Sequence, residues 1–306
     1  MSKTAWVFPG QGSQYVGMAS DALQQNAQAG TLVRHADELL GVPLSKVMTA
    51  GPEDELRQTK NTQPAIFVHS MALVSLMQGL RPDMAAGHSL GEYSALVVAG
   101  ALSFDDGLRL VRLRGDLMQR AGEMEHGTMA AVIGLDPQTV QDVCTEASVS
   151  GVVQPANFNS PGQVVISGSV DGVRSAMALA KARGAKMVKE LVVSGAFHSP
   201  LMRSAQEGLR NALATVTIND PQIPVYTNVT ATAVTDGKTA RRLLLEQLTS
   251  PVRWEESVAA MIHDGASSFV EIGPGKVLQG LIKRIDPTVS VMGIDRVGDI
   301  GGVGAA

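Results

Sequence analysis

The chain has 306 residues, 44% hydrophobic and 18% charged, which supplies a sizeable core and excludes disorder as its main character. That length fits two domains, or one large α/β domain carrying an insertion. A formal net charge of −4 and an aromatic content of 4% provide neither a pull toward phosphate or anionic lipid nor a stacking surface, so no nucleic-acid and no membrane partner is expected.

One cysteine, Cys144, excludes an internal disulfide and a cysteine-based zinc site, and the six histidines show no metal-ligand spacing, so no metal is expected. No apolar run approaches the ~18 residues of a bilayer span. Met1-Ser-Lys runs straight into Thr4–Phe8 without the character of a signal peptide. The expectation is a soluble, cytoplasmic protein.

In chain order, Ala5–Phe8 reads as a buried strand that breaks into Pro9-Gly-Gln-Gly-Ser-Gln14, with a helical pattern from about Val16. Thr31–Leu40 and the nearly all-apolar Pro64–Leu80 read as helices, Met84–Gly87 as a short strand and Ser89–Val98 as a helix. Ser103-x-x-Asp106 has the form of a capping box opening a helix to about Arg120. The character then changes. Strand Thr128–Ile133, helix Pro137–Ala147, a hairpin of Val152–Phe158 and Gln163–Ser167 turning through Asn159–Gly162, helix Val170–Arg183 and strand Lys186–Val193 give the order βαββαβ, the ferredoxin-like pattern. Ser199-Pro200 is an N-cap and N1 pair for a helix to about Ala214. Val225–Val229, Ser268–Ile272 and Val289–Ile294 read as strands, Lys276–Ile285 as a helix, and Gly298–Ala306 as a mobile tail. The fold class is therefore α/β: a large parallel-sheet domain of residues 1–125 and 194–306, interrupted by a small α+β domain of residues 126–193.

Gly87-His88-Ser89-Leu90-Gly91 matches G-x-S-x-G. A nucleophile on a sharp strand-to-helix turn needs glycines two positions either side so that neighbouring backbone can pass, and the turn exposes the hydroxyl beside free N–H groups. Alone the motif is as compatible with a tight turn capped by Ser89. Its place between a strand and a helix favours the nucleophile. Among the other histidines His198 is the best base, lying in Ala196-Phe-His-Ser-Pro200 at a strand-to-helix junction, where α/β sheets build their sites. His88 is expected to point away from Ser89 across the turn, and His35, His126 and His263 read as surface. The loop Pro9-Gly10-Gln11-Gly12 can bring backbone to a reacting carbon and supply an oxyanion donor. It is not a dinucleotide fingerprint, because Tyr15 replaces the third glycine, and Gly273-Pro-Gly-Lys276 fails the phosphate-loop pattern.

On the helix from Ser103, Asp105, Arg109, Arg112 and Asp116 share a solvated face as i,i+4 pairs, while Arg114 lies opposite with Leu110, Val111 and Met118. A core-facing arginine must find an anion, either a buried Asp or Glu or a substrate carboxylate held bidentately. With a serine acyl-enzyme site, the second reading points to acyl groups bearing a free carboxylate.

Phe8-Pro-Gly-Gln-Gly-Ser-Gln14, Gln63-Pro64, Gly87-His-Ser-Leu-Gly-Glu-Tyr-Ser-Ala95, Arg114-Gly115, Asn157-Phe-Asn-Ser-Pro-Gly-Gln163, Phe197-His-Ser199 and Glu271-Ile-Gly-Pro-Gly275 together resemble the malonyl-CoA:acyl carrier protein transacylase family, in order, from residue 4 to about 285. The resemblance implies an α/β-hydrolase-like large domain with a ferredoxin-like small one. It implies that Ser89 is acylated and His198 is its base, with the Gln11 and Leu90 N–H groups as the oxyanion hole. Arg114 would bind the malonyl carboxylate, with Gln63 and the Asn157 region lining the site. A backbone carbonyl near Gln247 would orient the histidine, and Gln247 is counted with the substrate-binding residues. Phe197 before the histidine goes with malonyl over methylmalonyl, although Gly195 departs from the His common there in related polyketide acyltransferases. The implied reaction is ping-pong transfer from malonyl-CoA to the phosphopantetheine thiol of acyl carrier protein, for fatty acid or polyketide synthesis, with no bound cofactor and a monomeric enzyme. Lys181, Arg183, Lys186 and Lys189, and a second cluster of Lys276, Lys283 and Arg284, could form a basic rim for an acidic carrier.

Two other readings are weighed. A serine hydrolase would want an acid between Ser89 and His198 in the chain, and the candidates, Asp136 and Asp171, fall in the inserted domain. A non-catalytic binding module is disfavoured by the intact Ser89, His198, Arg114 and Gln11.

Overall fold

The computed structural model describes residues 2–302. Strand β1 (Lys3–Phe8) is followed by α1 (Ser20–Gln25), α2 (Ala27–Leu40), α3 (Leu44–Ala50), α4 (Glu53–Arg57) and α5 (Thr59–Leu76), then β2 (Met84–Gly87), α6 (Gly91–Val98) and α7 (Phe104–Met124). The middle stretch gives β3 (Gly127–Ile133), α8 (Pro137–Ala147), β4 (Val153–Ser160), β5 (Gln163–Ser169), α9 (Val170–Ala182) and β6 (Met187–Glu190). After it come α10 (Arg203–Thr215), β7 (Val225–Tyr226), β8 (Ala233–Val234), α11 (Gly237–Glu246), β9 (Val252–Arg253), α12 (Trp254–His263), β10 (Ala266–Ile272), α13 (Val277–Ile285) and β11 (Ser290–Ile294).

The large sheet runs β11-β10-β1-β2-β7-β8, parallel except for the β7–β8 pair at its edge. Helices cover both faces, so β1 is continuously apolar and buried over Ala5–Phe8, with no polar alternation there. Trp6 and Phe8 pack into the core formed with α2, α5 and α7, while Ala5 and Val7 meet Trp254, Val258 and Phe269 on the other side. The second sheet runs β6-β3-β5-β4, all antiparallel, with α8 and α9 against one face. Val132 and Ile166 pack there with Val140, Val143 and Val173. This is the strand order of the ferredoxin-like pattern. The two-residue β9 joins β4 in parallel through Asn157↔Val252, so chain from beyond the inserted stretch extends the small sheet.

The sequence reading gives the element types correctly and misplaces several ends. The first helix starts at Ser20, because Val16–Ala19 is spent in turns that close on the left-handed Ala19. The hairpin turn is the two residues Pro161-Gly162, since Ser160 already pairs with Gln163. Lys186–Val193 and Val225–Val229 shorten to β6 and β7, and Ser199 caps a 3₁₀ turn, Pro200–Met202, ahead of α10. Four helices, α3, α4, α11 and α12, have no counterpart in the sequence reading. Of the expected tail, Val297–Gly302 forms 3₁₀ turns, and residues 303–306 lie outside the described residues.

Helix α5 runs through Pro64 rather than starting there. Proline lacks the N–H that would bond the Lys60 carbonyl one turn back. That carbonyl is taken instead by Arg112 Nη1 at 2.9 Å, and the same nitrogen donates to Asn61 Oδ1 at 2.9 Å. On α7, Ser103 caps Asp106 N–H at 3.0 Å as expected. The charged face is partly reassigned. Arg112 pairs with Asp116 at 3.3 Å, but Arg109 reaches Asp106 at 3.7 Å, because Asp105 is engaged by His35 at 2.8 Å. Arg112 is thus a splice between α5 and α7 rather than a solvated surface charge. Arg112→Ala should lower unfolding free energy by about 1–3 kcal/mol, since it orphans the Lys60 carbonyl. Arg109→Ala should stay within about 0.5 kcal/mol. Urea unfolding of the two variants checks the contrast.

Candidate active site

Ser89 sits where β2 turns into α6, with φ at 51°, in the left-handed region that disfavours a side chain. The flanking glycines are required by contact. A Cβ at Gly87 would lie 1.8 Å from the Gly91 carbonyl carbon, and one at Gly91 would lie 2.1 Å from the Phe8 oxygen. The turn is closed by Asn228, just past β7. Its Oδ1 accepts the Ser89 N–H at 2.6 Å and its Nδ2 donates to the Gly87 carbonyl at 2.7 Å.

His198 lies in the loop after β6, also left-handed, with φ at 57°. Its Nδ1–H donates to the Gln247 carbonyl at 2.9 Å, which leaves the Nε2 lone pair to accept from Ser89 Oγ at 2.8 Å. Gln154 of β4 holds the backbone by donating to the His198 carbonyl at 2.8 Å. Burial, reinforced by the charge of Arg114, pushes the imidazole pKa down to about 3. The ring is therefore neutral, with its lone pair aimed at the hydroxyl. No carboxylate bonds it among the described residues. Asp136 caps α8 by accepting the Thr139 N–H at 2.9 Å, and Asp171 lies in the first turn of α9.

Arg114 is fully buried on the inner face of α7. Nη1 donates to Gln63 Oε1 at 2.7 Å, and Nη2 donates to both Ser89 Oγ and Gln247 Oε1 at 2.9 Å. Nε has no partner. No carboxylate touches the guanidinium among the described residues, so the buried-acid alternative for its partner does not hold. A cation held only by neutral acceptors, with a donor to spare, is open to an incoming anion.

These groups face a cavity of about 300 Å³ between the two sheets. Ser89, His198, Arg114, Gln63, Leu90, Gln11, Asn157 and Phe197 all reach its wall. Gln247 does not. It stands behind Arg114 and His198, and touches both. The Pro9–Gly12 loop packs on the turn so tightly that a Cβ at Gly10 would lie 2.5 Å from the His88 oxygen. The N–H groups of Gln11 and Leu90 have no acceptor among the described residues, and both residues line the cavity with Ser89. His88 turns from Ser89 to Asn159, with Nε2 and Oδ1 2.8 Å apart, and its ring lies against Trp254. Of the histidines read as surface, His126 and His263 are exposed and His35 is half-buried on Asp105.

Three residues of the site carried no chemical reading in the sequence: Asn228, Gln154 and Glu92. Asn228 follows the strand next to β2, so its position becomes readable only once the sheet order is known. Gln154 requires knowing that β4 faces the loop of His198. Taken together, a hydroxyl bonded to a neutral imidazole, two free N–H groups and an unpaired cation can perform covalent acyl transfer on an acyl group that bears a negative charge.

Residues 5–294 match the family model for the acyl transferase domain. A malonyl CoA-acyl carrier protein transacylase of Bacillus subtilis (strain 168) is 46% identical over 297 residues, 96% of this chain and 94% of that protein. An acyl carrier protein S-malonyltransferase of Vibrio cholerae superposes with a TM-score of 0.95 at 45% identity, covering 99% of this chain and 100% of the other. A malonyl-transacylase in complex with its type II PKS acyl-carrier protein gives 0.94 at 41% identity, with 98% of each chain covered.

A histidine whose folded pKa lies below its unfolded value of about 6.5 contributes stability above that value and loses it as pH falls toward the folded one. NMR of ring-labelled His198 should show no protonation between pH 8 and 5. Arg114→Met should move its midpoint upward, because the neighbouring positive charge is removed.

Proposed function

The chain belongs to the acyl transferase domain family, and we propose that it moves a malonyl group from malonyl-CoA to the phosphopantetheine thiol of acyl carrier protein, serving fatty acid or polyketide chain extension. The observation that carries this reading is one atom: Ser89 Oγ lies 2.8 Å from His198 Nε2 and 2.9 Å from Arg114 Nη2 in one cavity. The nucleophile, its base and a carboxylate receptor are therefore within one small acyl group of each other.

In the first half-reaction Ser89 Oγ attacks the thioester carbonyl and passes its proton to His198 Nε2. The carbonyl oxygen, now negative, takes the free N–H groups of Gln11 and Leu90. Collapse breaks the C–S bond, and the imidazolium returns its proton to the departing CoA thiolate. Arg114 holds the malonyl carboxylate meanwhile, with Gln63 fixing the guanidinium and Asn157 on the facing wall. In the second half the carrier thiol gives its proton to His198, its sulfur attacks the malonyl ester, and Ser89 leaves and is reprotonated. The Gln247 carbonyl keeps Nδ1 protonated throughout, the place a triad carboxylate would take. Phe197 fills the wall where an α-methyl branch would project, which favours malonyl over methylmalonyl.

The reaction needs no bound cofactor. No helix among the described residues is long and apolar enough to cross a membrane, and cytoplasmic residence and a monomeric state belong to the same proposal. The cleft lies between the catalytic unit, residues 1–125 and 194–306, and the small unit, residues 126–193. For the carrier, Lys186 and Lys189 are exposed at β6, below the loop that reaches the cavity at Leu191 and Val193. Arg183 is paired with Glu146, and Arg284 donates to Gln163 at 2.6 Å, so these two are less free to meet a partner.

Intact-protein mass after a brief pulse of mixed malonyl-, methylmalonyl- and acetyl-CoA should show a malonyl adduct mapping to Ser89 and absent in Ser89→Ala. Free acid without an adduct would indicate a hydrolase instead. Arg114→Ala should lose malonyl loading by about a hundredfold and gain relative tolerance for acetyl. Charge reversal at Lys186 and Lys189 should raise the KM for carrier protein at low salt and leave the KM for malonyl-CoA unchanged. An unchanged carrier KM would remove these lysines from the docking surface.

A further inference from the structure

Glu92 is wholly buried in the first turn of α6, three residues beyond the nucleophile, and the acyl-transfer steps do not use it. Its Oε2 accepts two hydrogen bonds, from Asn228 N–H at 2.9 Å and from Gln247 Nε2 at 2.9 Å. Its Oε1 has no partner. We propose that Glu92 is a positioning residue: by accepting at Oε2 it fixes which way the Gln247 amide faces, and so sets Arg114, His198 and the Ser89 turn in one register.

An amide has a donor end and an acceptor end, and its orientation follows from its neighbours. The donor end of Gln247 points at Glu92, at the Ser89 carbonyl (3.0 Å) and at Asn228 Oδ1 (3.3 Å). The acceptor end is thereby turned to Arg114 Nη2. A reversed amide would set NH₂ against the guanidinium N–H groups and leave the Glu92 oxygen facing a carbonyl. The backbone oxygen of this same residue holds His198 Nδ1. On its other side Glu92 anchors Asn228, whose side chain closes the Ser89 turn at both Ser89 N–H and Gly87 C=O. One carboxylate oxygen thus reaches all three working groups through two intermediaries, from α6, the segment after β7 and the end of α11.

An ionised carboxylate suits this post because it only accepts, so neither of its oxygens presents a hydrogen to Asn228 or Gln247. Burial pushes its pKa up to about 7, against the pull of those two bonds and of Arg114. The group is held there at some cost, and the use of one oxygen shows that reach and acceptor character are what the site takes from it. Two conservative variants separate reach from charge. Glu92→Gln keeps the length and an acceptor while removing the charge. Glu92→Asp keeps the charge and withdraws the oxygen by one methylene.

The inference rests on the malonyl reading of the site, and its test is the ratio of malonyl to acetyl loading at Ser89, followed by rapid-quench mass analysis. A slackened Arg114 lowers malonyl loading selectively, whereas a merely destabilised protein loses both acyl groups alike. Glu92→Asp should lower the ratio by about tenfold, and Glu92→Gln should restore most of it. Gln247→Met, which removes the amide and keeps the backbone carbonyl, should lower the ratio as Glu92→Asp does, and provides the same test if Glu92→Asp does not fold. The double variant should lose no more than the worse single one. An unchanged ratio in Glu92→Asp or Gln247→Met, an equal loss of both acyl groups, or Glu92→Gln behaving as Glu92→Asp would overturn the assignment. Absence of malonyl loading in the wild-type protein would instead overturn the functional reading.

Discussion

The constraint from which the site follows is the turn at Ser89. A serine with positive φ is unfavourable, and the chain meets it by removing every Cβ that would obstruct the passage. Gly87 and Gly91 let β2 and α6 pass within contact of each other and of Phe8, and Gly10 lets the loop after β1 lie against the same turn. That packing brings two strand ends together, so Gln11 and Leu90, from different parts of the chain, line one cavity with Ser89. Asn228, from just beyond a third strand, holds the turn shut. The parallel sheet is what makes this meeting possible, because β1, β2 and β7 all end at one edge.

Electrostatically the site is built on displaced titrations. Burial drives His198 down and Glu92 up, each away from its charged form, while Arg114 stays a cation among neutral partners. The same burial therefore has opposite functional meanings. For His198 it keeps the imidazole unprotonated. For Arg114 it creates a deficit that an anionic acyl group relieves. Gln247 mediates between them by exchanging hydrogen bonds with the arginine, the glutamate and the histidine, and it does so from outside the cavity wall.

Much of this was legible in the chain because the chemistry dictates local spacing. G-x-S-x-G is a steric requirement written over five residues, and the inward arginine declares itself by helical phase against its solvated neighbours. The βαββαβ order followed from short apolar runs and the turn signals of Asn159–Gly162. What stayed illegible depends on distant pairings. Nothing near Asn228 says that β7 neighbours β2. Nothing near Arg112 says that Pro64, 48 residues earlier, leaves a carbonyl for it. Glu92 was visible as a motif residue without a reason, because the reason lies in two residues more than 130 positions away. Helix α12 lacks a side-chain N-cap of the kind that reveals α7 and α8, whereas α11 has one in Asp236, which accepts from Thr239 N–H and which the sequence reading does not use.

His198 is mounted on a seam. Gln154, on the small sheet, bonds the carbonyl of His198, and β9 of the large unit's chain is stitched into that same sheet beside Asn157. A hinge motion that swung the small sheet aside to admit a bulky reactant would drag the imidazole off the serine and unpick this strand pairing. Entry by wide opening and readiness to react are therefore mechanically exclusive in this architecture. What the seam favours is a long, thin reactant that threads past the rim at Leu191 and Val277 with its bulk left outside, so slenderness becomes a selection criterion imposed before any chemistry begins.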